Sequence, residues 1–179
     1  MKRLLLCLLL FASCGRREPN LPVYQSVPAF TLTSQTGESF SSNQLKGRVW
    51  IADFIFTRCP GPCLRMSARM KQLSNSLPPE AGLVSFTIDP DFDTPEVLAR
   101  YAKRYQANPA RWTFLTGSKA ELNKLSLDTF KLGEISPDQS HSTRFVLIDQ
   151  QMRHRGYYDS TESDMVERIN ADVRALLGQ

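Results

Sequence analysis

The stretch RVWIADFIF, residues 48–56, is almost unbroken in apolar and aromatic side chains and runs without a spacer into TRCPGPCLRMS. A strand with apolar residues at successive positions is one covered on both faces, as in a sheet sandwiched between helices. Beyond Pro62, the residues Cys63, Met66, Met70, Leu73 and Leu77 recur at helical spacing, and proline is tolerated in the first turn of a helix. Residues 48–77 therefore read as strand, short loop and helix, with two cysteines at the junction.

The rest of the chain repeats this alternation. PAFTLTSQTGESF, from residue 28, reads as a β-hairpin around a glycine turn. LVSFTI (83–88) is a strand, and in DPDFDTPEVLARYAKRYQ Thr94 can cap and Pro95 can open a helix. WTFLT is a further strand, and SKAE (118–121) is a capping box that opens a helix to about Lys131. STRFVLID (142–149) and RGYYDS read as paired strands, and a last helix carries Val166, Ile169, Val173 and Leu176 on one face. Strands alternating with helices and ending strand, strand, helix predict an α/β domain with a central mixed sheet. A dithiol at the first strand-to-helix junction is what a thioredoxin-like fold produces.

The N-terminus, MKRLLLCLLLFASCGRREPN, has two basic residues, a short apolar run and small residues before a cysteine. It reads as an export signal, too short to span a membrane as a mature helix. Ala12 and Ser13 before Cys14 resemble a bacterial lipobox, although Phe11 stands where an aliphatic residue is usual. Residues 1–13 are expected to be a lipoprotein-type signal, with Cys14 lipidated, 14–27 a tether and 28–179 the folded body. Export discards Cys7 and acylates Cys14, leaving Cys59 and Cys63 as the thiols. It also removes Lys2 and Arg3, lowering the formal charge of +4 by two units. Without a basic stripe interleaved with aromatics, nucleic-acid binding is not expected. A body of this size buries a core without cross-links, so the cysteines are not needed as a staple.

Cys59 and Cys63 can hold a metal or exchange as a disulfide. Residues before proline are pushed out of the helical region, so Cys59 and Gly61 should be non-helical, with Cys63 in the first turn. The helix start, Arg58 and Arg65 are expected to lower one thiol toward neutrality. Of the two histidines, His141 precedes the strand STRFVLID and His154 follows it. If that strand lies antiparallel beside RVWIADFIF, His141 faces the cysteines and His154 is a solvated turn residue at the far edge. Two thiolates and one imidazole form a soft three-coordinate set that suits copper and leaves zinc short of a ligand, unless Asp89 or Asp93 completes a tetrahedron.

FTRCPGPC, TIDPDFDTPEVLARYA (87–102), LTGS (115–118) and SHSTRFVLID together resemble the Sco (SenC) family over essentially the whole body from Pro28. The resemblance implies a thioredoxin-like copper protein of cytochrome c oxidase assembly, with copper, Cu(I) or Cu(II), on Cys59, Cys63 and His141. Its partner would be the copper-bearing oxidase subunit or another exported cuproprotein. Leu64 and Gly61 depart from the family's usual proline and aspartate. Asp89, Asp91 and Asp93 are similar to the family's DPxxDTP segment and read as a helix-start and partner-docking element. Asp53 lies six residues before Cys59, the offset of the buried aspartate in thioredoxin sequences, and is a candidate proton acceptor for disulfide exchange. Two functions therefore stand: a monomeric, lipid-anchored, extracytoplasmic copper carrier, or a thiol-disulfide reductase that keeps a target's cysteines reduced. A peroxidase fits less well, because Thr57 and Cys59 lack the Thr-x-x-Cys spacing.

Overall fold

A computed structural model describes residues 20–133, 135 and 142–179. Among them, seven strands form one sheet: β1 (Thr31–Ser34), β2 (Ser39–Ser41), β3 (Trp50–Ile55), β4 (Gly82–Thr87), β5 (Trp112–Thr116), β6 (Arg144–Ile148) and β7 (His154–Asp159). The helices are α1 (Pro62–Ser76), α2 (Pro95–Arg104), α3 (Lys119–Lys124) and α4 (Met165–Leu177). The strand order is β2-β1-β5-β4-β3-β6-β7. β3, β4 and β5 run parallel, while β6 is antiparallel to β3 and β7 to β6. The β1–β2 hairpin joins the far side through β5. This is the expected mixed sheet of a thioredoxin-like fold with an N-terminal hairpin.

Every residue of β3 and β4 is buried, because the sheet carries a core on each face. Side chains alternate along a strand. Ile51 and Ile55 of β3 accordingly face α1, α2 and α4 through Met66, Met70, Leu98 and Ile169. Trp50 and Phe54 face the opposite core with Phe86, Leu122 and Phe130. By the same alternation Asp53 lies on the α1 face.

Local signals place the helix starts. Pro62 opens α1, with Gly61 as a cap that lends no side chain. Thr94 caps α2 through the Val97 N–H, and Ser118 with Glu121 forms a complete capping box on α3. The α3 segment is shorter than expected: the α-helix ends at Lys124 and continues as a π-helical turn over Leu125–Thr129.

The tether expected over 14–27 is corrected where it is described. Residues 21–27 are docked along β7: Val27 N–H donates to Met152 O at 2.7 Å, His154 N–H to Gln25 O at 2.8 Å, and Tyr24 N–H to His154 O at 3.0 Å. The buried Arg155 guanidinium also donates to the carbonyls of Leu21 and Pro22, each at 2.9 Å. Among the described residues the folded body thus includes 21–27, ahead of Pro28. Cys14 lies outside the described residues.

Candidate functional site

Cys59 and Cys63 flank the exposed Pro60-Gly61-Pro62 loop, after β3 and at the start of α1. Both are in the thiol form. Cys63 is fully buried and Cys59 nearly so, at 7% exposure. The Cys63 N–H points to Cys59 Sγ at 3.4 Å, which brings the first sulfur over the helix start.

Burial dominates the chemistry of Cys63. It drives the thiol well above its ordinary value, and the neighbouring Cys59 thiol and, more weakly, Asp53 act the same way. Cys63 is therefore not a thiol that the helix start and the arginines lower, because desolvation of a charged sulfur outweighs a partial helix-end charge. Arg58 is also turned aside. Its Nη2 and Nε donate to Asp89 Oδ2 at 2.5 and 3.2 Å, and its guanidinium lies 4.2 Å over the ring of Phe92.

Asp53 is fully buried, and neither carboxylate oxygen has a hydrogen-bond partner. Desolvation raises its carboxyl to about 7. Ser85, its register partner across β4, pulls it partly back without reaching hydrogen-bond geometry, and the Ser85 hydroxyl accepts the Trp112 indole N–H at 2.9 Å. Beneath the dithiol there is thus a carboxyl that can gain or lose a proton near neutrality.

The three turn aspartates have separate surroundings. Asp91 is exposed and pairs with Lys119. Asp89 is buried under Arg58. Asp93 is fully buried and accepts from the Thr57 N–H at 3.1 Å, the Thr57 hydroxyl at 2.5 Å and the Thr87 hydroxyl at 2.6 Å. Of the three carboxylates read as a docking element, this turn presents Asp91 to solvent, beside Phe92 and Arg58. Both Asp89 and Asp93 are thus engaged by protein groups, and no cluster of three His, Cys, Asp or Glu is assembled among the described residues. Thr57 and Thr87 fall inside the segments FTRCPGPC and TIDPDFDTPEVLARYA, but their spacing does not mark them as partners of Asp93.

His141 lies outside the described residues. β6, the strand that follows it, does run antiparallel to β3, with Ala52 opposite Val146 and Trp50 opposite Ile148. It therefore begins at the sheet edge where β3 ends and the cysteine loop starts. His154 is at the far edge, as expected, but the expectation of a solvated turn is wrong. It is the first residue of β7 and fully buried, its ring 4.9 Å from Tyr24 and 4.2 Å from Tyr157. Desolvation lowers the imidazole to about 4. Part of the cover comes from Tyr24 of the docked segment 21–27, which is remote in sequence.

A dithiol after the first central parallel strand, at the start of the helix that covers it, defines a thioredoxin-like dithiol protein. More particularly, the chain belongs to the SCO1/SenC family, whose sequence pattern matches residues 20–178. It is 33% identical to a SCO1 protein homolog of Bacillus subtilis (strain 168), over 95% of this chain and 92% of that one. Among solved structures it is similar to BsSco, a member of the Sco family of cytochrome c oxidase assembly proteins in which a disulfide switch was identified. That match has a TM-score of 0.79 and 33% identity, covering 89% of this chain and 97% of that one. A SCO1/SenC family lipoprotein from Bacillus anthracis str. Ames matches at TM-score 0.78 and 33% identity, over 86% and 95%. ScoI of Bradyrhizobium japonicum, solved with copper bound, shares the fold at TM-score 0.68 and 20% identity, over 83% and 98%.

Proposed function

We propose that this protein is a copper carrier that holds one copper ion through Cys59, Cys63 and His141. It passes the ion by ligand exchange to the copper-bearing subunit of cytochrome c oxidase or another exported cuproprotein. The observation that carries the reading is the convergence of two thiols beside an exposed loop, at the edge where the strand following His141 begins. Their chemistry fits the cargo, since two sulfurs and an imidazole suit copper. Copper-bound relatives support the same reading. The protein acts as a monomer, exported and held at a membrane by lipid on Cys14, facing the periplasm or other extracytoplasmic space. The lipobox-like residues and the lipoprotein relative support that placement.

Titration of the reduced protein with Cu(I) and Cu(II), beside His141→Ala, tests the site. A one-to-one complex with thiolate-to-copper charge-transfer absorption for Cu(II), weakened in the variant, is expected. Absence of a complex, or a complex indifferent to His141, would sink it.

A second reading, thiol-disulfide reduction of the target, draws on Asp53. In this reading Cys59 is joined to a target cysteine by a mixed disulfide. The Cys63 thiol gives its proton to the Asp53 carboxylate, and its sulfur attacks Cys59. The bond to the target breaks, releasing the target thiolate and leaving a Cys59–Cys63 disulfide. Asp53→Asn should then slow exchange between about pH 6 and 9. An unchanged rate profile would remove Asp53 from the chemistry.

A further inference from the structure

The two cysteines are anchored by different parts of the molecule. Cys63 belongs to α1, whose buried face carries Met66, Met70 and Leu73 into the core. Cys59 precedes the helix, and the loop joining the two is exposed at Pro60, Gly61 and Pro62. What holds Cys59 lies on its other side. Thr57 donates both its backbone N–H and its hydroxyl to the buried Asp93, and Thr87 at the end of β4 donates to the same carboxylate. The Thr87 hydroxyl in turn accepts the Asp89 N–H at 3.0 Å, and the Asp93 N–H donates to Asp89 O at 2.8 Å. Arg58, the next residue, is tied to Asp89 and Phe92 of that turn. Both residues immediately ahead of Cys59 are thus fastened to residues 89–93, more than thirty positions on.

We propose that Asp93 is a positioning residue for the cysteine pair: through Thr57 it fixes Cys59 beside Cys63, so that the two sulfurs are preorganised for a shared ligand or bond. For copper this rests on the reading above; for the thiols themselves it does not. A buried carboxylate receiving three donors from two segments is a rigid joint, because releasing it would leave a charge and several donors unpaired out of water. Preorganisation raises affinity by removing the ordering cost from the binding step. Loosening the joint should therefore weaken copper binding and the intramolecular disulfide together, although Asp93 touches neither sulfur.

The test uses the whole protein as wild type, Asp93→Asn, Thr57→Val and, as a stability control at the opposite sheet edge, Asp149→Asn. Two quantities are read well below each variant's unfolding temperature: Cu(I) affinity against a competing chelator, and the equilibrium constant for Cys59–Cys63 disulfide formation against glutathione. Asp93→Asn and Thr57→Val should lower Cu(I) affinity about 10- to 100-fold, the range for groups that orient metal ligands. They should shift the disulfide equilibrium toward the dithiol, while Asp149→Asn changes neither. If both clamp variants fold and keep wild-type values, or if Asp149→Asn moves them equally, Asp93 is only a structural residue. If wild type takes up no Cu(I), the copper reading fails and the disulfide constant alone decides the positioning role. If Asp93→Asn does not fold, Thr57→Val decides it.

Discussion

Asp53 lies in β3 where a charge is costly, fully buried and without a hydrogen bond. Its folded value of about 7 lies above the ordinary 3.8. Between those values the native protein keeps a proton that the unfolded chain has lost, so stability falls as pH rises. Asp53→Asn removes that slope. Urea unfolding should find the variant increasingly stabilised over wild type from about pH 4 to 8, by up to roughly 4 kcal/mol. An offset independent of pH would mean the carboxyl titrates alike in both states. Cys63 makes a second prediction. Because burial keeps its proton on at neutral pH, copper held as proposed would have to displace it. Cu(I) affinity, measured by chelator competition, should rise with pH by about tenfold per unit for each proton displaced. A flat profile over the neutral range would show that binding displaces no proton from Cys63.

Among the elements, β7 and the segment laid along it show most clearly why an isolated sequence reading of His154 fails. Alone, MRHRG is a polar turn; in the fold, Tyr24 and Tyr157 enclose the imidazole and Nδ1 has no hydrogen-bond partner. The folded value of about 4 lies below the ordinary 6.5, so the unfolded chain binds the proton first as pH falls. Its contribution is whole above about pH 6.5 and declines toward pH 4, by roughly 3 kcal/mol. His154→Gln should flatten that decline in denaturant titrations across the window. An unaltered slope would place the acid sensitivity elsewhere. By contrast, the starts of α1, α2 and α3 were legible from Pro62, Thr94 with Pro95, and Ser118 with Glu121, since capping depends on neighbours within one turn.

For the whole molecule, the antiparallel pairing of β3 and β6 puts two buried polar clusters at opposite sheet edges. One surrounds the cysteine loop. The other is Asp149, at the end of β6, whose carboxylate receives Arg155 at 2.8 Å and Arg153 at 2.7 Å. Burial alone would raise this carboxyl, but the hydrogen bonds from the two arginines hold it below its ordinary range. Asp149→Ala leaves the Arg155 guanidinium, only 2% exposed, without this counter-charge. Breaking such a pair costs about 3–5 kcal/mol. Chemical denaturation should show that loss, and proteolysis should show release of residues 21–27, with Cu(I) affinity unchanged. A matching fall in affinity would mean the two edges are coupled.

By itself the sequence determined the alternation of strands and helices, the helix starts, the cysteine pair at the first junction and the family pattern around it. Each of these is written in neighbouring residues or in short periods. Only the tertiary structure decided that Cys63 is too buried to be an easily ionised thiol, that Asp93 closes on Thr57 and Thr87, and that His154 is sealed by the chain's N-terminal segment. Burial and hydrogen-bond partners come from residues remote in sequence, and desolvation, which dominates the shifts at Cys63, Asp53 and His154, is a property of the packed interior.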